Sequence, residues 1–217
     1  AAIGRFATGI AHEIRSPLAT INMALDYYKN SDLSDNQKKR AVLAAEEAER
    51  VKRLMEDIML YAKPLQIKTE TTDIYKNVQE VAELYEVQLS EKYLHFEVLS
   101  SENLPAIEAD PQRLKQVLIN LLLNAIQASE QGGTIVCILS TDPGTGWVNL
   151  ELNNRGEFIK AKEIEKVFEP FYTTRAHGTG LGLNIAKRII EAHGGEMRVT
   201  SSSRDGTTFE LALAPAH

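Results

Sequence analysis

The sequence has 1 cysteine, no long apolar run and no excess of basic residues, and each shortage excludes a class of protein. A single cysteine cannot build a disulfide framework, which suits a reducing compartment, so we expect a cytoplasmic chain. No stretch approaches the roughly 20 apolar residues that span a membrane, and no signal peptide is recognisable. Without a basic stripe, and with a formal charge of −6, we expect no nucleic-acid partner.

The composition that remains is that of an ordinary globular protein, with 43% hydrophobic and 25% charged residues. The chain opens without methionine and inside a helical pattern, so we expect a fragment, with any membrane anchor in a missing upstream part. Cys137 stands in the apolar run 134–139, where we expect a buried core thiol.

Residues 1–65 predict a dimerising helical hairpin. Apolar residues recur at steps of three and four from Ile3 to Tyr28, and residues 30–36 carry turn and capping side chains. The second helix has a seam at alternating steps of four and three, formed by Ala44, Ala48, Val51, Met55, Ile58 and Ala62. Two helices alone rarely close a core, so we expect a homodimeric four-helix bundle. Packing of the hairpin against its own C-terminal domain is the alternative.

Residues 66–217 predict an α/β sandwich, in which helices cover one face of a sheet. Lys63-Pro64 ends the preceding helix, because proline cannot continue it. Helices are expected from Asp73 to about Ser90, from Asp110-Pro111 onward, over 161–167 and over 180–193. Strands are expected at 94–99, 133–141, 147–153, 196–202 and 207–213.

His12 is the first candidate for chemistry. It lies about 200° around the first helix from the apolar Ile10, so it faces solvent. Ser16 shares that face, and Glu13 lies beside it. A neutral imidazole is available at pH 7, and an adjacent carboxylate can take its proton. By itself, an exposed histidine is more often ordinary surface.

A polar stripe follows one side of the long helix after Asp110; its members are Arg113, Gln116, Asn120, Asn124 and Gln127. Two asparagines one turn apart offer amide oxygens to a hard cation such as Mg²⁺, and donors to phosphate. A solvated helix face is the alternative, although such faces usually favour lysine and glutamate.

A glycine-rich segment, 178–183, opens the next predicted helix. Glycines let a backbone approach phosphates closely, and a helix N-terminus favours anions. No strand leads into the segment, so it is not a dinucleotide-binding fingerprint, and the chain has no Gly-Lys-Ser/Thr phosphate loop. The preceding residues 173–174 and 176–177 suggest a mobile lid.

Together these elements resemble the catalytic core of sensor histidine kinases of two-component systems, over essentially the whole chain. HEIRSPL (12–18) resembles the phosphoacceptor box of that family, and LINLLLNAIQAS (118–129) resembles its asparagine box. FEPFYTT (168–174) and GTGLGL (178–183) resemble its phenylalanine box and its second glycine box. The order and the spacing of the four motifs also agree with the family.

The resemblance implies a dimeric phosphotransfer bundle joined to a Bergerat-type (GHKL) ATP-binding domain. His12 would accept the phosphoryl group of ATP, with Glu13 as base, and pass it to an aspartate of a response regulator. Ser16 stands where the family has a residue that helps to dephosphorylate the regulator. Asn124 would hold Mg²⁺, with Asn120 close to the phosphates. The other implied nucleotide-site residues are Asn154, Gly156, Thr174, Arg175, Gly178, Thr179, Gly180, Leu181 and Gly182.

The first glycine box departs from the family pattern Asp-x-Gly-x-Gly, since residues 154–158 are Asn-Arg-Gly-Glu-Phe. Asn154 replaces the aspartate that accepts from the adenine amino group, at a loss on the order of 1 kcal/mol. Phe158 replaces a glycine and stiffens the loop. A regulatory scaffold that transfers nothing is therefore a second hypothesis. A chaperone-type or mismatch-repair-type ATPase is a third, but that class lacks the hairpin.

Overall fold

The computed structural model describes residues 21, 23, 25, 28, 34–62, 65–175 and 178–216 of the chain. The chain divides into two compact units, Ala1–Pro64 and Leu65–His217. Among the described residues, no helix is long and apolar enough to cross a membrane.

The first unit contains a long helix, α1, over Asp35–Ala62. In its first turn, the Gln37 side-chain oxygen accepts hydrogen bonds from Ser34 N at 3.1 Å and from Ser34 Oγ at 2.7 Å. This pairing resembles a capping box and explains where the helix begins. Residues 21, 23, 25 and 28 of the preceding predicted helix are helical. Residues 1–20 and most of the predicted turn lie outside the described residues.

The buried face of α1 is rotated from the predicted seam. The buried side chains are Ala41, Ala45, Ala48, Met55 and Met59. Ala48 and Met55 belong to the seam, but Ala44 is exposed and Val51 is 42% exposed. The apolar side chains of α1 cover an arc wider than one seam, so two neighbouring stripes fit the helical period equally well. The predicted helix is confirmed, whereas the seam is expected to pack against a second hairpin and stays a prediction.

The second unit is a five-stranded sheet with helices on one face, as predicted. The strands are β1 Glu70–Thr72, β2 His95–Ser100, β3 Ile107–Ala109, β4 Thr134–Thr141, β5 Val148–Asn154, β6 Glu196–Ser202 and β7 Gly206–Leu213. The strand order of the sheet is β2-β4-β5-β7-β6, with β2 parallel to β4 and the other neighbours antiparallel. A separate antiparallel pair joins β1 to β3. The helices are α2 Ile74–Leu84, α3 Glu86–Glu91, α4 Pro111–Ala128 and α5 Gly182–Ala192.

One face of the sheet carries the core of this unit. Alternate residues of the central strands, among them Leu150 and Leu211, are buried, whereas their sequence neighbours are half-buried. Leu121 of α4 and Ile189 of α5 are fully buried. Cys137 is 1% exposed, and burial raises the pKa of its thiol to about 12. It is therefore the core thiol that the sequence predicts, not a reactive one.

Each predicted strand agrees with an observed strand to within one residue at either end, but other local predictions need correction. The helix expected from Asp73 to Ser90 is broken at Tyr85, whose φ of −108° and ψ of 13° are not helical. The helix expected over 161–167 consists of two short 3₁₀ turns, Ala161–Glu163 and Lys166–Phe168. Strands β1 and β3 have only 3 residues each, too few for an alternation to predict them.

Candidate functional site

Helix α4 is the platform of the site, and it is fixed at both ends. At its start, Asp110 Oδ1 accepts hydrogen bonds from the backbone nitrogens of Gln112 and Arg113, both at 3.1 Å. At its end, Lys92 Nζ donates to Ile126 O at 2.8 Å. Such a cation satisfies a carbonyl that has no partner within the helix. Side chains along α4 therefore have a well-defined position.

Asp110 is itself held by its surroundings. Partial burial acts to raise the pKa of its carboxyl group, but hydrogen bonds from the backbone of Lys68 and of the first helical turn lower that pKa below its ordinary value. The Asp110 N–H donates to His193 Nε2 at 2.9 Å. His193 Nδ1 lies 2.7 Å from Ile189 O and must carry the hydrogen. The end of α5 is thereby tied to the start of α4.

The polar stripe of α4 meets the start of α5. Asn120 Nδ2 donates to Gly182 O at 3.0 Å, and Asn124 Nδ2 donates to Asn120 O at 2.8 Å. A Cβ atom at position 182 would lie 3.3 Å from Asn120 Oδ1, a tight contact that glycine avoids. Both asparagines are half-buried. These hydrogen bonds bring the asparagine motif and the glycine-rich motif together.

Arg175 binds the oxygen atoms at the C-terminal end of this stripe. Its Nη1 donates to Asn124 Oδ1 at 2.9 Å and also to Gln127 Oε1. Its Nη2 donates to Asn124 O at 3.3 Å. Burial lowers the pKa of the guanidinium group, while the negative charge of Glu157 acts in the opposite direction. The side-chain nitrogen and oxygen of Asn124 thus both have partners within the protein.

The segment between Phe171 and Gly182 folds back on itself before α5 begins. Gly180 has a φ of +67°, and a Cβ atom there would lie 2.4 Å from the carbonyl carbon of Phe171. The Phe171 N–H donates to Gly180 O at 2.9 Å. Only glycine fits this combination of positive φ and close approach. The phenylalanine motif and the glycine motif are therefore pinned to each other.

The other predicted residues of this segment differ in exposure. Thr174 and Gly178 are exposed, Thr179 is half-buried, and Leu181 is buried at the N-cap of α5. Thr179 Oγ1 accepts a hydrogen bond from Leu181 N at 3.3 Å. Leu181 anchors the segment in the core, whereas Thr174 and Gly178 remain accessible. Residues 176 and 177 of the predicted lid lie outside the described residues.

Asn154 and Gly156 lie where β5 meets the C-terminal end of α4. Gly156 has a φ of +145°, and a Cβ atom there would lie 2.1 Å from Ala128 O. The next residue, Glu157, donates its N–H to Ala128 O at 2.9 Å, so glycine lets the loop close on the helix. Asn154 is 2% exposed, and its Nδ2 has no hydrogen-bond partner in the described part of the chain. A buried donor without a partner calls for an explanation.

The structure brings together several of the predicted nucleotide-site residues. Those joined to one another by hydrogen bonds are Asn120, Asn124, Arg175 and Gly182. Those that lie outside the described residues are His12, Glu13 and Ser16, whose roles stay predictions.

Gln127 and Glu157 both act on Arg175, although neither is among the nucleotide-site residues that the family resemblance implies. Gln127 binds Arg175, and it follows Asn124 by one turn on the same polar stripe, so the helical spacing carries the signal. Glu157 acts on the pKa of Arg175. No local pattern indicates Glu157, because its effect depends on how two distant loops fold.

The described residues contain no group of three or more His, Cys, Asp or Glu side chains that could hold a metal ion. A single amide oxygen nevertheless suits Mg²⁺, which usually keeps several waters and takes few protein ligands beside substrate phosphates. Asn124 Oδ1 has that chemistry. This oxygen accepts from Arg175 at 2.9 Å, so a cation at Asn124 would compete with the guanidinium group for it.

Family comparisons agree with this geometry. Residues 109–217 match the family described as histidine kinase-, DNA gyrase B- and HSP90-like ATPases. Residues 2–66 match the His kinase A phospho-acceptor domain. The chain belongs to the histidine kinases. In this kinase chain the two domains follow each other in the order that the sequence motifs predict.

Individual relatives and solved structures resemble the kinase chain over nearly its whole length. Sensor histidine kinase ZraS of Escherichia coli strain K12 is 34% identical over 213 residues, which are 98% of this chain and 45% of ZraS. Full-length ShkA in complex with AMPPNP matches with a TM-score of 0.83 and 26% identity, over 99% of this chain and 47% of that one. ThkA in complex with the response regulator TrrA matches with a TM-score of 0.73 and 30% identity, over 99% and 62%. The kinase chain therefore spans less than half the length of ZraS.

Proposed function

We propose that this kinase chain phosphorylates His12 from ATP and passes the phosphoryl group to an aspartate of a response-regulator receiver domain. The observation that carries the proposal is the joining of two motifs, in which Asn120 binds Gly182 and Asn124 binds Arg175. Relatives supply further support. ShkA was solved with AMPPNP, and ThkA was solved with the response regulator TrrA.

We assign the nucleotide to the polar face of α4. Asn124 Oδ1 would hold Mg²⁺, which would neutralise charge on the phosphates. Asn120 would supply a donor near the phosphates. Arg175, once released from Asn124, would add a cation to the γ-phosphate oxygens. The backbone of residues 178–182 would cover the triphosphate, and residues 154–156 would form the wall beside the base.

The transfer step joins a ring nitrogen of His12 to the γ-phosphorus of ATP. The bond between that phosphorus and the oxygen bridging to the β-phosphate breaks, and ADP leaves. Glu13 takes the proton from the imidazole. The protein contributes chiefly positioning and charge neutralisation, as in phosphoryl transfer generally.

The hairpin of residues 1–65 forms a homodimeric four-helix bundle in this proposal. Part of the apolar arc of α1 supports it, since Ala44 is exposed and Val51 is 42% exposed in a single chain. A second hairpin can cover that arc. Ser16 stands where the family has a residue that positions water against the phosphoaspartate of the regulator, and its hydroxyl group can form the same kind of hydrogen bond.

Incubation with γ-labelled ATP and Mg²⁺ tests the proposal. We expect label that is labile in acid and stable in base, as a phosphohistidine is, and we expect the variant His12→Gln to lose it. The variant His95→Gln, at an exposed position in β2, is the matched control and should keep the label. A wild-type chain without label, or a His12→Gln variant that is labelled equally well, would overturn the proposal.

A regulatory scaffold that binds nucleotide without transferring it is the second candidate. Two observations favour it, since Asn154 has an unpaired nitrogen and Phe158 is 43% exposed where the family has glycine. A scaffold would bind ADP but leave His12 unlabelled. The match of residues 2–66 to a phospho-acceptor domain argues against a chaperone-type ATPase.

A further inference from the structure

Asn154 carries a hydrogen-bond donor that nothing in its surroundings uses. The residue is 2% exposed, at the end of β5, and its Nδ2 has no partner in the described part of the chain. A buried amide nitrogen normally finds a carbonyl or a water. The nitrogen is also shielded from solvent, so a ligand would engage it after the amide group turns about its last bond.

Two other buried polar side chains at this end of the sheet are paired. Thr207, which lies opposite Asn154 in the register of β5 and β7, has its Oγ1 2.7 Å from Ser201 Oγ. Ser129, at the end of α4, donates its Oγ to Ala125 O at 2.7 Å. Among the described residues, three further buried side-chain atoms share the lack of a partner: Asn77 Nδ2, Thr141 Oγ1 and Asn184 Oδ1. The missing partner of Asn154 is then best supplied from outside the protein.

The chemistry of an amide differs from that of a carboxylate in one way that matters for a purine base. A carboxylate offers acceptors only, so it accepts from the 6-amino group of adenine and repels a 6-oxo group. An amide offers a donor and an acceptor, and a half-turn about its last bond exchanges their positions. With adenine, Oδ1 accepts from the 6-amino group and Nδ2 donates to N1. With a 6-oxopurine, Nδ2 donates to the oxygen and Oδ1 accepts from N1–H.

We propose that Asn154 makes the nucleotide site accept 6-oxopurine nucleotides, such as inosine and guanosine phosphates, alongside adenine nucleotides. The inference rests on the proposed function, because it takes residues 154–156 as the wall beside the base. It goes beyond that function by making Asn154 the residue that sets base selectivity.

Calorimetric titration of the whole chain with ADP and with IDP, both with Mg²⁺, tests this inference. IDP is the matched probe, since it differs from ADP only in the 6-oxo group and the N1 hydrogen. We expect the two dissociation constants to lie within about tenfold in the wild type. In Asn154→Asp, ADP should bind more tightly and IDP more weakly, so that the two dissociation constants differ by about a hundredfold or more.

Two further variants keep the test decisive. Asn149→Asp places the same charge on the opposite face of β5, at a half-buried position. It should leave the ratio of the ADP and IDP dissociation constants unchanged. Asn154→Ala removes the donor and the acceptor together and should weaken the binding of both ADP and IDP. Because it introduces no buried charge, it tests the role of Asn154 even if Asn154→Asp does not fold.

Three outcomes would overturn the inference. The first is a wild type that binds ADP but binds IDP more than about a hundredfold more weakly. The second is an Asn154→Asp variant that folds and keeps the wild-type ratio. Both of these leave the proposed kinase function standing. The third is a wild type that binds neither nucleotide, which defeats the proposed function as well.

Discussion

The two ends of the candidate nucleotide site differ in how their polar groups are satisfied. At the lid end, the side-chain oxygens of Asn124 and Gln127 are bonded to Arg175. At the β5 end, the buried Asn154 has an unpaired nitrogen. A bond already present must break before a ligand replaces it, whereas an unpaired group gains a bond outright. We therefore expect a ligand at the lid end to compete with a bond from Arg175, and a ligand at the β5 end to add a new hydrogen bond.

The largest effect is expected at the lid end, from a substitution that removes the side-chain amide of Asn124. We expect Asn124→Ala to slow labelling of His12 by about a hundredfold or more, because transfer depends on placing a cation at the phosphates. Initial rates measured across a Mg²⁺ titration give the comparison. Gln116→Ala is the control, since Gln116 shares the stripe but binds Arg113. An unchanged rate and Mg²⁺ dependence in Asn124→Ala would rule out its assignment as metal ligand.

Gly156 keeps the β5 end closed on α4, so its replacement should cost stability. A Cβ atom at 156 would lie 2.1 Å from Ala128 O, at a φ of +145°. We expect Gly156→Ala to lower the free energy of unfolding by about 2 kcal/mol. Gly146→Ala is the control, because a Cβ atom at 146 meets nothing within 4 Å although its φ is +74°. Its cost should be about 1 kcal/mol. Urea unfolding measures both, and equal losses would show that the contact with Ala128 contributes nothing.

Arg175 supplies the hydrogen bond to Asn124 with which a ligand at the lid end would compete. The variant Arg175→Ala should remove this competition. We expect ADP with Mg²⁺ to bind about fivefold more tightly, because one protein hydrogen bond no longer has to break. Labelling of His12 should slow at the same time, since the γ-phosphate of ATP, which ADP lacks, loses a cation. Arg198→Ala removes an exposed arginine of β6 that pairs with Glu196, and it should change neither. Tightening that persists when Mg²⁺ is chelated would argue that Arg175 does not compete with a metal.

The sequence predicts those features of the candidate site that follow a repeating pattern along the chain. Asn120 and Asn124 are recognisable because a helix puts them on one face, and the strands are recognisable because their alternation is long. The bond between Arg175 and Asn124 spans 51 positions, and no periodicity connects them. The unpaired nitrogen of Asn154 depends on what β7 and α4 leave around it. Ala44 and Val51 of the predicted seam are exposed in a single chain, because a helical period alone does not say which stripe packs within the chain and which packs against a second hairpin.

The smallest expected effect concerns the start of α4, the platform that both ends share. Asp110 has a pKa below its ordinary value, because backbone hydrogen bonds from Lys68 and the first helical turn outweigh the effect of burial. A lowered folded-state pKa means that the stabilisation is present above the unfolded-state pKa and is lost as the pH falls through the folded-state value. Asp110→Asn keeps a capping oxygen but removes the titration.

We therefore expect wild type to exceed Asp110→Asn in free energy of unfolding by about 0.5 kcal/mol at neutral pH. The difference should shrink below the ordinary pKa of aspartate, and urea unfolding from pH 7 down to pH 3 measures it. A gap that stays constant over this range would mean that the Asp110 charge does not stabilise α4. Nucleotide affinity at neutral pH should be equal in both proteins. If affinity falls in Asp110→Asn, the lid end and the β5 end are not independent, because a small change at the start of α4 then reaches both.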